Sequence, residues 1–234
     1  MTLKYKMVVE QMEQEILDGK YAPNTKLPTE EELMKKFDVS RNTIRKAIDI
    51  LAEDGYIYQV QGSGIFLREF SRPGCISIKN MIGLTREFAQ DELTSTLLQL
   101  DLLEADDELA EQLKCAVNTK VYYVKRVRNL NGMPFVIEES YFNKDIILYL
   151  DKEICNHSIY NYISQDLKLN VGFTDKVISS EKLDDYDASL LDLQPGDPTL
   201  IVENKVFLNT GVVFSTSREK YRYDKIKLLS LTTK

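Results

Sequence analysis

Tryptophan is absent from this chain of 234 residues, histidine occurs once and cysteine three times. His157 alone cannot build a histidine metal site, and Cys75, Cys115 and Cys155 are widely spaced, odd in number and free of any Cys-x-x-Cys. Neither a disulfide framework nor a zinc site is expected, and a reducing cytoplasm fits this usage. No stretch approaches the ~18 consecutive apolar residues of a membrane span, and the N-terminus lacks the apolar core of an export signal, so no membrane partner is expected. Positive charge is outnumbered, 30 Lys and Arg against 37 Asp and Glu. A net charge of −7 argues against non-specific coating of nucleic acid, which relies on a large positive excess. A nucleophile-histidine pairing, a metal cluster and a nucleotide-phosphate loop are all missing, so no catalytic residue and no cofactor is assigned. What remains is a 43% apolar composition, enough for two modest domains with real cores.

Pattern is strongest near the N-terminus. Tyr5, Val8, Val9, Met12 and Ile16 fall near helical spacing from Leu3 to Asp18, and Gly19 supplies a terminator suited to positive φ. Pro23 and Pro28 bracket a loop. Thr29-x-x-Glu32 then forms a capping-box pattern ahead of Leu33, Met34 and Phe37, predicting a second helix that stops near Asp38. Ser40 is placed to cap a third, in which Ile44, Ala47, Ile48 and Leu51 line one face and leave Arg41, Asn42, Arg45 and Lys46 off it. Two β-prone runs, 56–60 and 65–67, meet across Gln61-Gly62-Ser63-Gly64, whose glycines permit a tight tip. Helix, turn, helix and glycine-tipped hairpin are the ground plan of a winged helix-turn-helix.

Residues 1–70 carry ten Lys and Arg against twelve Asp and Glu, yet from Lys35 to Lys46 five basic residues stand against Asp38 alone. Positive charge is concentrated where a recognition helix would meet a groove. A solvated charged face is the bland alternative. Arginine at such a helix start can pair in bidentate fashion with guanine, which discriminates by about 1–3 kcal/mol.

Beyond a connector at 70–77 containing Pro73-Gly74, the pattern alternates helix and strand. Thr85 stands before a helical run with Arg86 beside it, and 104–114 reads as helix. Val121 to Arg128 alternates as a strand, Asn131-Gly132 turns, and Pro134 to Phe142 returns. A two-residue turn would pair Arg126 with Ile137 and send Glu138 to the opposite face. A three-residue loop would pair Arg126 with Val136 and gather Arg126, Arg128 and Glu138 on one face. A short helix over 158–166, a strand within 172–181, a helix over 184–193 and strands over 199–208 and 212–223 complete the chain. On the last, Val213, Ser215, Ser217, Glu219, Tyr221 and Tyr223 alternate onto one face. The class is α+β, the second domain having a largely antiparallel sheet. The expected division is 1–69 for the winged helix, 70–77 for the linker and 78–234 for the second domain.

Residues 5–67, with LPTE, SRNTIRKA and GSG, resemble the DNA-binding domain of GntR-family bacterial transcription regulators. That resemblance implies contacts to double-stranded operator DNA from Thr29, Ser40, Arg41, Asn42, Thr43 and Arg45, and from Gln61, Gly62 and Gly64 in the wing. The family often has arginine where this chain has Glu31, so one expected DNA contact is lost. The order VKRVR, NGMPFVIEESYF, SIY, LDLQPGDPTLIVENKVF and YRYD is similar to the UTRA effector-binding domain of the HutC subfamily, which has a chorismate-lyase-like fold. Sugar-phosphate-sensing members use residues matching Arg126, Arg128, Glu138, Ser158 and Tyr160, with Thr85 and Arg86 completing the anion end. Lys168 falls where some members have arginine, and Ser215 where many have an acid; Tyr221 matches a pocket wall. Paired guanidiniums and a helix N-terminus suit a phosphate, and a carboxylate suits sugar hydroxyls. Taken singly, the arginines could be an exposed strand face paired with acids, Ser158 a cap and Tyr160 a core aromatic. The resemblance implies a homodimeric repressor released from its operator by a small anionic metabolite, a sugar phosphate in the first instance. The alternatives are a chorismate-lyase-like enzyme and a sensor of an organic acid.

Overall fold

A computed structural model describes residues 3–69, 75–78, 84–88 and 91–230. The chain divides into two compact units, 1–80 with 227–234, and 81–226.

In the first unit the expected helices form at the expected caps. α1 (Lys4–Leu17) buries Val8, Met12 and Ile16 and ends before Gly19 at φ 74°. α2 (Glu30–Phe37) opens on a reciprocal capping box between Thr29 and Glu32 and ends at Asp38 in the left-handed region. α3 (Arg41–Glu53) opens on Ser40, whose side chain accepts from the Thr43 amide, and turns Ile44, Ala47, Ile48 and Leu51 inward. Those side chains meet Met12, Ile16, Leu33 and Phe37 in one core. β1 (Ile57–Val60) and β2 (Gly64–Leu67) close it as an antiparallel wing, Val60 paired with Gly64. β3 (Ile76–Ser77) pairs in parallel with β10 (Leu228–Leu229), a two-strand contact that no pattern in either segment announces.

The second unit begins with the short α4 (Leu84–Glu87) and is built on a sheet of six strands: β4 (Leu93–Glu104), β5 (Lys120–Leu130), β6 (Met133–Asn143), β7 (Val171–Lys182), β8 (Pro198–Leu208) and β9 (Val213–Arg222). They lie side by side as β4-β5-β6-β9-β8-β7, each pair antiparallel. α5 (Asp107–Leu113) and α8 (Asp185–Leu191) cover one face, through clusters around Leu113, Val121 and Val213 and around Val127, Ile137 and Leu191. α6 (Lys152–Asn156), α7 (Ile159–Asn161) and a π-helical turn (Tyr162–Asp166) cover part of the other through Cys155, Ile159 and Ile163.

Three sequence expectations need correction. The helix expected over 104–114 starts only after Asp106, which caps it, and Glu104 ends β4, an edge strand that no period marks. The β5–β6 register is neither of the two anticipated: Arg126 stands opposite Glu138. Asn131 and Gly132, at φ 51° and 79°, do make the two-residue turn, as a type I′ turn requires. Between Pro134 and Val136, however, Phe135 is an extra residue on β6, and this bulge advances the register by one. Arg126, Arg128 and Glu138 thereby share a face, the outcome anticipated for the other loop. On β9 a bulge at Phe214 puts Val213 in the α5 cluster, away from Ser215, and Tyr223 lies beyond the strand. The alternating set is therefore Ser215, Ser217, Glu219 and Tyr221.

Candidate functional site

On the winged unit, the side chains expected to meet DNA cluster around the start of α3. Asn42 is exposed there. The Ser40 hydroxyl sits 2.9 Å from that of Thr43 and caps the helix. Gln61 and Gly62 form the exposed wing tip, Gly62 at φ 77°. A groove of about 460 Å³ runs between the wing and the start of α2, lined by Thr29, Glu30, Gln61, Gly62 and Gly64 among others.

The basic cluster is less available than its sequence suggests. Arg45 Nε donates to both carboxylate oxygens of Glu30, at 3.1 and 3.2 Å. Arg41 lies 3.2 Å from Glu31 and 3.8 Å from Glu30. Lys36 pairs with Glu15, and the Lys46 ammonium lies 4.1 Å from the Tyr5 ring centroid. Glu15 sits between Lys20, Lys36 and Tyr21; burial opposes its ionisation, but their hydrogen bonds prevail and hold it at about 2. The two arginines at the head of α3 are thus held by carboxylates of α2, a pairing invisible in a linear count of charge. The departure at Glu31 not only omits a cation but engages one.

In the second unit, the β5–β6 register brings the expected residues together. Arg126 Nε donates to Glu138 Oε2 at 2.5 Å, and its Nη1 donates to the carbonyls of Cys155 and His157 at 2.7 and 3.0 Å. Arg126 therefore ties the end of α6 to the sheet. Arg128 Nη1 lies 3.4 Å from Glu138 Oε1, and its Nη2 donates to Thr85 Oγ1 at 3.1 Å. Arg128 is only 4% exposed, and its Nε has no hydrogen-bond partner. Burial works against the Glu138 carboxylate, but the two guanidiniums outweigh it and hold the group below its ordinary range.

The other expected residues divide. Ser158 caps α7 by accepting from the Asn161 amide. Tyr160 faces the Glu138 and Glu219 carboxyls, and burial followed by their charge pushes its phenol upward. Ser215 is fully buried beside Tyr160, yet its Oγ forms no hydrogen bond of good geometry. Tyr221 is fully buried, packs edge-on against Phe135 and donates to Glu219 Oε2 at 2.6 Å. Lys168 is exposed at φ 56° and makes no hydrogen bond or ion pair among the described residues. The Arg86 side chain lies outside the described residues.

Sequence reasoning missed the polar groups that β9 and β8 add. Glu138 stands opposite Glu219. Glu219 Oε1 accepts from Asn204 Nδ2 at 3.0 Å, Asn204 also donates to Ser217 Oγ, and Lys176 Nζ donates to Asn204 Oδ1 at 2.6 Å. Burial, and then the charge of Glu138, push the Glu219 carboxyl up to about 7. Burial lowers the Lys176 ammonium. A usable signal existed: Asn204 interrupts the inward apolar set Leu200, Val202 and Val206 at alternate positions of β8. A polar residue in such a set is buried and must be satisfied. The cluster brings three cations, Arg126, Arg128 and Lys176, against two carboxylates, Glu138 and Glu219, with one carboxyl readily protonated. Such a site has positive charge to spare and suits an anion.

The profile of bacterial regulatory proteins of the gntR family matches residues 4–67, and that of the UTRA domain matches residues 89–227. The uncharacterized HTH-type transcriptional regulator YydK of Bacillus subtilis (strain 168) is 38% identical over 95% of this chain and 94% of its own length. Its crystal structure superposes with a TM-score of 0.82 at 36% identity, covering 99% of this chain and 100% of that one. The HTH-type transcriptional regulator TreR of the same organism is 30% identical over 97% and 95% of the two chains. The histidine utilization repressor of Pseudomonas putida is 26% identical over 87% and 82%. These relatives are regulators rather than enzymes, and they match across both units. The chain therefore belongs to the GntR family of bacterial transcriptional regulators, in the HutC-like group that carries a UTRA domain behind its winged helix.

Proposed function

We propose that this regulator is a homodimeric repressor, released from an inverted-repeat operator when a phosphorylated sugar enters the pocket floored by Arg128, Glu138 and Tyr221. One observation carries the effector reading: a guanidinium buried to 4% exposure keeps an unpartnered Nε beside a single carboxylate shared with a second guanidinium. A buried donor left unpaired destabilises the free protein by about 1–3 kcal/mol, and a phosphate oxygen would relieve this. Thr85, already on Arg128, and the start of α7 at Ser158 lie on the anion side of the reading, with Arg86 beside Thr85 in sequence. Glu138 and Tyr160 offer acceptors and a donor to sugar hydroxyls. Support also comes from names: one relative is a mannosyl-D-glycerate transport/metabolism system repressor and another solved effector-binding domain is that of a trehalose repressor.

At the DNA end, Arg41, Asn42, Thr43 and Arg45 at the head of α3 would reach base edges, with Thr29, Ser40 and the wing residues Gln61, Gly62 and Gly64 on the phosphate backbone. Two such heads gain apparent affinity from effective concentration only when both half-sites are spanned. An effector that favours a different spacing with a coupling of about 1–3 kcal/mol suffices to release them.

The test is a thermal-shift screen of sugar phosphates and organic acids on the wild type and Arg128→Met. A sugar phosphate that raises the midpoint of the wild type only, and weakens operator binding, supports the reading. Response to organic acids alone would transfer the pocket to that class.

A further inference from the structure

We infer that Lys26 is a further DNA contact, a phosphate anchor at the base of the wing that contributes affinity without reading sequence. This rests on the operator-binding reading above and concerns the winged unit alone.

The loop before α2 is pinned to the wing. The Asn24 and Leu27 amides donate to the carbonyls of Leu67 and Ile65, at 2.9 and 2.8 Å, and the Leu67 amide donates back to Thr25. Lys26 thereby stands opposite Phe66 of β2 in an antiparallel bridge. Alternation along this stretch sends Leu27 into the core and leaves Lys26 exposed on the outer face.

Gly64 marks the path of the lysine side chain. A Cβ at Gly64 would lie 2.7 Å from Lys26 Cε and 3.4 Å from its Nζ, so the stem crosses β2 at the strand's glycine. That path leads along the groove between the wing and the start of α2, where Lys26 is the one cation among the described lining residues. Thr29, Gln61 and Gly62 line the same groove, and all three lie on the phosphate side of the reading above. The recognition helix contributes none of the described lining residues. An ammonium placed there meets a backbone rather than a base edge, and it lacks the planar fork of a bidentate reader.

Availability separates Lys26 from the cations nearer α3. Arg41 and Arg45 are held by Glu30 and Glu31, Lys20 and Lys36 by Glu15, and Lys46 lies over the Tyr5 ring. Lys26 makes no ion pair among the described residues. Glu32, a carboxylate that feels its charge, is taken by the amide and hydroxyl of Thr29 at 2.7 and 2.8 Å. Glu30 also lines the groove, but both its oxygens accept from Arg45. Lys26 can therefore meet a phosphate without giving up a partner, whereas each arginine must exchange a carboxylate. Neutralising one phosphate steepens the fall of log K with log salt by about 0.9.

The experiment is fluorescence anisotropy of the full chain from about 50 to 200 mM salt, on an operator obtained by binding-site selection and on a random duplex of equal length. It compares wild type, Lys26→Met, Lys26→Arg and Lys182→Met, the last an equal charge change at an exposed position of β7. Lys26→Met should flatten the salt slope by about 0.9 per engaged head, about 1.8 for two, and weaken both duplexes by factors that agree within about threefold. Lys26→Arg keeps the charge and should keep the slope. A slope that Lys26→Met flattens no more than Lys182→Met does, or that Lys26→Arg fails to keep, overturns the anchor. So does a loss on the operator more than about tenfold beyond that on the random duplex, which would make Lys26 a base reader. A flattening of about 0.9 in all retains the anchor and overturns the pairing of two heads. A wild type that binds both duplexes equally overturns the operator reading beneath it.

Discussion

Replacing Glu30 by Gln should tighten operator binding, although Glu30 is not among the residues assigned to DNA. Its carboxylate accepts from Arg45 at 3.1 and 3.2 Å and lies 3.8 Å from Arg41, so the two arginines assigned to the grooves must exchange it for DNA. The glutamine keeps shape and hydrogen-bonding capacity while removing charge. The side chains of Arg41, Arg45 and Glu30 are 48%, 58% and 30% exposed, which places each pair among surface ion pairs worth about 0.2–1 kcal/mol. Counting the closer Arg45 pair alone, two heads per operator give roughly 0.4–2 kcal/mol, or about 2- to 30-fold in affinity. Fluorescence anisotropy on an operator obtained by binding-site selection, at about 50 and 200 mM salt, measures it. Glu10→Gln, an equal charge change at an exposed position of α1, corrects for net charge. Equal affinities for Glu30→Gln and Glu10→Gln at both salts would refute the idea that Glu30 competes with DNA.

Glu219→Gln should stabilise the protein at pH 8 and not at pH 4.5. A carboxyl whose folded pKa is raised to about 7 contributes fully below its unfolded value, and that contribution is lost as pH rises through the folded one. The shift corresponds to about 3–4 kcal/mol above neutrality; urea midpoints at both pH values report it, and an unchanged midpoint at pH 8 would show that Glu219 is not held protonated by its surroundings. Glu138→Leu should have the opposite effect, because it leaves Arg126 and Arg128 buried without their shared carboxylate. A loss of about 3–5 kcal/mol is expected from breaking such a buried arrangement, visible as a lower urea midpoint, whereas a loss below about 1 kcal/mol would place the guanidiniums in water.

The winged unit was legible because its determinants are local. Thr29 with Glu32, Ser40 with Thr43, and the spacing of Ile44, Ala47, Ile48 and Leu51 each act within one helical turn or two. The second unit was legible only as a set of strands. Its face assignments depend on Phe135 and Phe214, single extra residues whose bulges follow from packing against partners far along the chain. Strand order was also closed to sequence reasoning: β9 enters between β6 and β8. The pairing of β9 with β6 brings Glu219 to Glu138, while the β8–β9 and β7–β8 pairings bring Asn204 to Glu219 and to Lys176. The motif residues Arg126, Arg128 and Glu138 were found because they belong to one hairpin. Glu219, Asn204 and Lys176 were not, because they lie on three strands whose order and register the sequence leaves open.

Both units hold arginines with carboxylates, but the same device has opposite consequences at the two depths. At the head of α3, Glu30 and Glu31 lie in contact with solvent, so water replaces much of what Arg41 and Arg45 lose when they turn to DNA. Exchange is inexpensive, and the acids set affinity without preventing recognition. Around Glu138 the side chains are 4–9% exposed; separating that carboxylate from its guanidiniums would strand buried charge at a penalty of several kcal/mol. No ligand can displace Glu138 by simple competition. On the proposed reading an effector instead adds to the arrangement, at the Arg128 Nε that Glu138 leaves unpartnered, and keeps the Arg126 bonds that hold the end of α6. On this reading the DNA-binding surface is tuned by competition and the proposed pocket by completion.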